Sequence, residues 1–360
     1  MINGRIYSGW LDVKIEVGLM QLARTFSVGT TRRVADGIAD IGIRLGDSVV
    51  VKVDGDIVLT GYVTLVDVKY SATSVSISVE GSSKAIDLVE CCIPDGKAKS
   101  YKNLTPLHLL NNLASNYDIE VLDQIGITDK VSMDVAPDQK IGDAIIQFAK
   151  SNSYLVTDNE FGQLILCRPG SEAAAGDSVF YGVNVVAGSL HQASNALYSK
   201  YICLGQGTNP DSERPLSDNQ LAKSAINSNV RKRVKVYKHS GNAQASQLQK
   251  RVNNTMAQAI ASSQKLTYEV HGWRQSSGAL WKVNSLVRVV DDFLSIKRTL
   301  LISKVTYALD SSGMRTTMEL MHADAFLNVE AKSSDVAIKL KTTDGRLIAI
   351  GSVEGGSWTS

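Results

Sequence analysis

The sequence predicts a multidomain α+β fold, two similar antiparallel β-barrels carrying small α/β subdomains, and three observations predict it. At 360 residues the chain exceeds what one hydrophobic core serves, so roughly two to four domains are expected. Period-two apolar patterning fills the N-terminal quarter and returns beyond Val179, with helical spacing between. One stretch of strand text is also written twice.

The first barrel is assigned to residues 1–93. Val75, Ile77 and Val79 alternate with Ser76, Ser78 and Glu80, giving one apolar and one polar face. Val49, Val51 and Val53 form an earlier strand ended by Asp54-Gly55-Asp56. Asp-Gly suits a tight hairpin because both residues tolerate positive φ. The run from Ile57 to Tyr70 is longer than an ordinary strand, and Gly61 lets it bend. Long bent strands joined by hairpins are how a small sheet closes on itself.

Residues 94–170 predict a small α+β domain of two helices and a hairpin. Thr105-Pro106 sets an N-cap hydroxyl before a proline at the first helical position, and Leu107, Leu110 and Leu113-Ala114 follow at helical spacing. The second helix carries Ile141, Ile145, Phe148 and Ala149 on one face. Tyr154-Leu155-Val156, a turn over 158–162 and Leu164-Ile165-Leu166 form the hairpin.

The second barrel is assigned to 171–208 and 264–326. The insertion at 209–263 holds the end of a polar loop that starts at Gly205, a basic strand from Val230 to Lys238 and a helix starting near Asn242. Leu248, Val252, Met256 and Ile260 recur on that helix at every fourth position. Residues 327–360 predict a C-terminal hairpin and flexible tail. There Val336, Ile338 and Leu340 alternate with Ala337, Lys339 and Lys341, and Asp344-Gly345 turns the chain into Leu347-Ile348-Ala349-Ile350. Gly355-Gly356-Ser357 loosens the end.

The duplicated text is VKVDGDIVLTGYVTLVDVKY from Val51 to Tyr70 and VRVVDDFLSIKRTLLISKVTY from Val287 to Tyr307. Both copies begin valine-basic-valine, turn at acidic residues, run through a long apolar strand and end on tyrosine. Alternating strands follow each: Val75, Ile77, Val79 in one, Met314, Thr316, Met318 and Leu320 in the other. A chain with two similar barrels offers two similar surfaces, so three chains can build a ring of quasi-sixfold character.

Net charge is +2, from 38 Lys plus Arg against 36 Asp plus Glu, which argues against a dedicated nucleic-acid binder. Cys91, Cys92, Cys167 and Cys203 lack metal spacing and read as reduced thiols. The N-terminus has no apolar signal region and no run reaches the length of a membrane span, so the chain is expected to be made and folded in a cytoplasm without inserting in a membrane.

The stretches His271-Gly272-Trp273-Arg274, Gly278-Ala279-Leu280-Trp281-Lys282-Val283-Asn284-Ser285-Leu286-Val287-Arg288-Val289, Leu300-Leu301-Ile302-Ser303-Lys304-Val305 and Asp324-Ala325-Phe326 resemble the late tail proteins of Mu-like phages, the baseplate hub family. More distantly the chain is similar to hubs of other contractile tails and of type VI secretion spikes. The resemblance implies a homotrimer whose six barrels form a torus, joining a sixfold tail tube to a threefold spike protein and leaving a channel through which DNA passes. It also implies residence in the virion, at the tail baseplate, after assembly in a bacterial host. Competing readings are a spike-base protein of a contractile secretion system and a nucleic-acid-binding β-barrel protein.

No enzyme is expected, and no catalytic, cofactor-binding or metal residue is assigned. G-x-S-x-G and G-x-x-x-x-G-K-[ST] are absent. Gly205-Gln206-Gly207 is a lone G-x-G followed by a loop and a proline. His108, His191, His239, His271 and His322 show no i, i+4 pair, which speaks against zinc. Asp54/Asp56 and Asp291/Asp292 have the form of paired carboxylates for acid–base work, but their matching places in the two copies favour hairpin turns. Arg231, Arg233, Lys235 and Tyr237 share a strand face that either meets phosphates or an acidic partner, or is a solvated edge guarded by its charges. The guarded edge is the expectation. Trp273 and Trp281 suit carbohydrate stacking or, beside strand valines, barrel plugs, and plugs are expected.

Overall fold

Alternating apolar residues set the first five strands of the chain, whose computed structural model describes every residue except 20, 34–41, 153, 207–219, 243–244, 327–337, 342–346 and 351–360. They are β1 (Asp12–Gly18), β2 (Thr25–Arg33), β3 (Ser48–Val53), β4 (Asp56–Tyr70) and β5 (Ser74–Ser83). Ile15, Phe26, Val49 and Val79 are buried on them, and Val75 and Ile77 lie inward with Val79 as the alternation requires. Asp54 and Gly55, at φ 49° and 96°, form the two-residue turn between β3 and β4. Gly61 does more than permit a bend. A Cβ there would lie 1.9 Å from the Ser82 carbonyl oxygen, so glycine is what lets β4 approach β5.

The chain continues through α1 (Ile86–Glu90), β6 (Ser100–Leu104), α2 (Pro106–Ala114), β7 (Val121–Asp123), β8 (Val131–Asp134), α3 (Ile141–Asn152), β9 (Leu155–Asp158) and β10 (Leu164–Cys167). The Thr105 side chain accepts from the His108 backbone N–H, capping α2 ahead of Pro106 as its sequence predicts. Then come β11 (Val179–Phe180), β12 (Val185–Gln192), β13 (Lys200–Gln206), β14 (Gln220–Ile226), β15 (Val234–Asn242), α4 (Ala245–Ser262), β16 (Gln264–His271), β17 (Leu286–Asp291), β18 (Ile296–Asp310), β19 (Gly313–Met321), β20 (Ile338–Lys341) and β21 (Leu347–Ile350). The last two pair antiparallel, Ile338 with Ile350 and Leu340 with Ile348; Val336, the Asp344-Gly345 turn and the tail lie outside the described residues.

Two compact units result. One comprises Met1–Asp177, Tyr268–Leu286 and Ile302–Glu319. Its sheet orders β1, β2, β5, β4 and β3, and β1 also pairs antiparallel with β18, from Val13 opposite Leu309 to Gly18 opposite Lys304. Its second core gathers α1, α2, α3, β7, β9 and β10 around Leu88, Leu109, Leu113, Ile141, Ile145 and Leu164, all fully buried. The other unit comprises Ser178–Thr267, Val287–Leu301 and Leu320–Ser360. Here β13 sits between β14 and β15, and α4 lays Leu248 and Val252 on Tyr201, Cys203 and Ala225.

The duplicated text folds twice in one order. The path β1-β2-β5-β4-β3 recurs as β12-β16-β19-β18, with β17 on β18. Local hydrogen bonds fix the register between copies. Gly46 N–H donates to Val63 O and Val63 N–H to Asp47 O; Asn284 N–H donates to Ile302 O and Ile302 N–H to Ser285 O. Gly46 and Asn284 both have positive φ, 81° and 66°. One residue on, Thr64 Oγ1 donates to Glu80 O and Ser303 Oγ to Glu319 O. Val68 therefore corresponds to Tyr307, and Tyr70 to Leu309, which corrects the matching of the two tyrosines. The slip of two residues already stands ahead of the hairpin, because Gly46 matching Asn284 sets Val49, and not Val51, against Val287. The described pairings leave both copies as open paths.

Candidate functional site

A cleft of about 720 Å³ lies in the unit that holds β1 to β10. Arg24, just ahead of β2, enters it with its guanidinium largely buried. Its backbone N–H and Nε donate to the Asp158 carboxylate at 3.0 and 3.1 Å, Nη2 donates to Asp158 O at 2.8 Å and Nη1 to Val58 O at 3.1 Å. Burial pushes the Asp158 carboxyl above the ordinary aspartate range and outweighs the Arg24 charge. These bonds tie the segment ahead of β2 to β4 and to the end of β9. Burial also pushes the Cys167 thiol up to about 12 and the Tyr307 hydroxyl well above its usual value, so neither is a poised nucleophile or acid near neutrality. The Tyr307 hydroxyl donates to Trp281 O.

Asn284 closes one wall. Its Oδ1 accepts from Gly170 N–H at 2.8 Å, and its Nδ2 donates to Arg168 O at 3.0 Å and Ser171 Oγ at 2.9 Å. This side chain is almost fully buried. It therefore staples the end of the β10 segment to the strand-entry turn of the second copy.

The carboxylate pairs stand in hairpins. Arg274 Nε and Nη1 reach Asp54 at 3.3 Å and Asp56 at 2.8 Å, and Nη2 donates to Val53 O at 3.0 Å, so the β3–β4 turn is clamped from the Gly-Trp-Arg loop. That clamp escapes sequence reading, because Arg274 and its partners lie far apart in the chain. Asp291 accepts from Leu294 N–H at 2.9 Å inside its own turn, and Asp292 pairs with Lys297 at 2.9 Å. Trp273, half-buried, donates its indole N–H to Ala308 O and packs edge-on against Tyr307, and Trp281 is buried. Among the described residues no group of three or more His, Cys, Asp and Glu is placed to hold a metal ion. No described helix is long and apolar enough to cross a membrane.

The basic strand differs from expectation in extent. It runs Val234–Asn242, not from Val230, and pairs parallel with β13. Arg231 is exposed ahead of it. Arg233 donates to Ser194 O and Asn195 O and lies 4.8 Å over the Tyr198 ring, while the Lys235 ammonium lies 5.7 Å from it. The Tyr237 hydroxyl donates to Thr255 Oγ1 on α4 at 2.9 Å. Arg233 and Tyr237 are half-buried and Lys235 is exposed, as are Val234 and Val236 at 50% and 56%.

Strand edges supply the other candidate surface. Beyond Val63 the described residues of β4 pair only with β5. Val68 is 49% exposed and Tyr70 84%, whereas Val305 and Tyr307 on the equivalent length of β18 are 1% and 4% exposed beside β1.

Comparison with known proteins adds to this geometry. Residues 1–83 match the family model described as Mu phage baseplate assembly protein GpP-like, N-terminal. Residues 244–329 match Mu phage baseplate assembly protein GpP, fourth domain. Baseplate hub protein gp44 of Escherichia phage Mu is 27% identical over 338 residues, covering 90% of this chain and 87% of that one. The crystal structure of a 43 kDa tail protein from prophage MuSo2 of Shewanella oneidensis superposes with TM-score 0.81 at 24% identity, over 92% of this chain and 98% of that one. A tail protein from Neisseria meningitidis MC58 gives TM-score 0.78 at 20% identity, over 91% and 96%.

Proposed function

We propose a role that proceeds from one premise: this chain belongs to the Mu-like phage baseplate hub family. It is a structural hub subunit of a contractile phage or prophage tail, and the observation that carries this is the continuous likeness to the Mu hub protein over nine-tenths of the chain. The finer reading is a homotrimer. Each copy of the five-strand path closes as one barrel, six barrels surround a channel that DNA traverses, and the ring joins the tail tube to a spike protein. The repeated strand order and the shared register of the two copies support it.

The domains retain the sequence boundaries in this proposal: barrels at 1–93 and at 171–208 with 264–326, subdomains at 94–170 and 209–263, and a C-terminal hairpin at 327–360. The chain performs no catalysis and holds no cofactor or metal. The committed hydrogen bonds of Arg24, Asp158 and Asn284 and the raised Cys167 thiol support that reading. The virion is its place, after assembly in the bacterial cytoplasm. Antibody labelling of induced particles tests it: gold is expected at the baseplate end of the tail, and labelling along the tube or of the head contradicts the role.

A further inference from the structure

The contact between β1 and β18 inside one chain indicates how one chain joins the next. We propose that the free edge of β4, Thr64–Tyr70, pairs antiparallel with β12, Val185–Gln192, of a second copy of this chain. The proposal rests on the ring reading above and names the surfaces that build the ring.

Register carries the argument. Val63 and Thr64 correspond to Ile302 and Ser303 by matching hydrogen bonds, so residues 65–70 of β4 correspond to 304–309 of β18. Those β18 residues are the ones paired with Val13 to Gly18 of β1. Among the described residues the first copy thus has a β4 edge of the same kind with no strand paired to it. Val68 stands half exposed where Tyr307, opposite Ile15 of β1, is buried, and Tyr70 is almost bare. A valine and a tyrosine on an uncovered strand edge are what burial beneath an added strand would stabilise, at about 25 cal/mol per Å² of apolar surface removed from water.

The complementary edge is β12. In the second copy it flanks β16 as β1 flanks β2, so it occupies the place of β1. The outer edge of β1 carries β18, whereas β12 ends the strand order among the described residues. Most of its residues are exposed, Val186 at 44% among them. The segment VVAGSLHQ has no Lys, Arg, Asp, Glu or Pro. Exposed edges in soluble proteins are normally blunted by such residues, because an unpaired row of N–H and C=O groups templates association. An eight-residue edge without them is suited to a partner strand, and the chain itself shows which strand fits that side.

The contact is heterologous, since one copy offers β4 and the next offers β12. Such contacts build rings when the rotation closes. With β1–β18 joining the two barrels of one chain and β12–β4 joining successive chains, the same kind of junction recurs around the ring.

Disulfide trapping in the full-length protein tests the pairing. Val68→Cys is combined in turn with Ala187→Cys, Ser189→Cys and His191→Cys, since directly opposed antiparallel residues bring their Cβ atoms within disulfide reach. Oxidation at high protein concentration is expected to give covalent dimers and trimers from at least one double variant and none from the single ones. In parallel, Val68→Asp with Tyr70→Asp is expected to reduce a trimer to a folded monomer with the wild-type circular dichroism spectrum. A trimer that survives both aspartates, with no interchain disulfide from any pair, overturns the pairing and leaves the hub reading standing. A wild-type chain that stays monomeric at every concentration overturns both.

Discussion

Asn284 shows how one residue can serve backbone geometry and packing together. Its φ of 66° is tolerated by asparagine and glycine and strains most other residues. Its amide meanwhile satisfies Gly170, Arg168 and Ser171 in a buried place. Asn284→Ala should cost about 3 kcal/mol, combining left-handed strain with unmet buried hydrogen bonds. Asn284→Gly should cost less, because it relieves the strain and leaves only the lost amide. Urea denaturation of the two variants checks the order, and equal losses would mean that strain is not part of the cost. The Trp-x-x-Asn text was legible as a motif, but its purpose was not. Three of its hydrogen bonds reach residues more than a hundred positions away, and no local pattern announces them.

At the scale of elements, most of what local periodicity can specify was legible. Val75, Ile77 and Val79 alternate into the core, Thr105 caps α2, and Leu248, Val252 and Ile260 line the buried side of α4. Tertiary contacts supply the rest. The basic strand begins at Val234 instead of Val230, and its Tyr237 hydroxyl reaches α4 while Lys235 stays exposed. Gly61 reads from sequence as a place to bend, and the 1.9 Å approach of Ser82 O to a built Cβ shows a second need for glycine there, the close contact with β5. Gly61→Ala should therefore destabilise the fold by more than about 3 kcal/mol, as expected of overpacking against backbone that cannot yield. Gly46→Ala meets open space and should cost only about 1 kcal/mol from its positive φ. Thermal melts separate the two, and comparable losses would show that β4 and β5 can move apart.

For the whole molecule, the repeat was the most informative feature in the sequence, and its register was the least secure. Apolar strands match one another at several offsets, so the tyrosines at 70 and 307 invited a false alignment. Hydrogen bonds at Gly46–Val63 and Asn284–Ile302 settle the offset, because they depend on backbone geometry instead of residue type. Two copies of one five-strand path, in a chain 27% identical to the Mu baseplate hub protein, support the proposed threefold ring of sixfold appearance. A plain hexamer offers six identical contacts to a threefold spike, and a two-copy trimer offers three of each kind. Electron-microscopic class averages of the assembled oligomer, viewed along its axis, test this most directly. Six similar lobes in threefold arrangement around an open centre, in a particle of three times 38.8 kDa, are the predicted result. A two-lobed dimer, or a closed particle without a central hole, would contradict it.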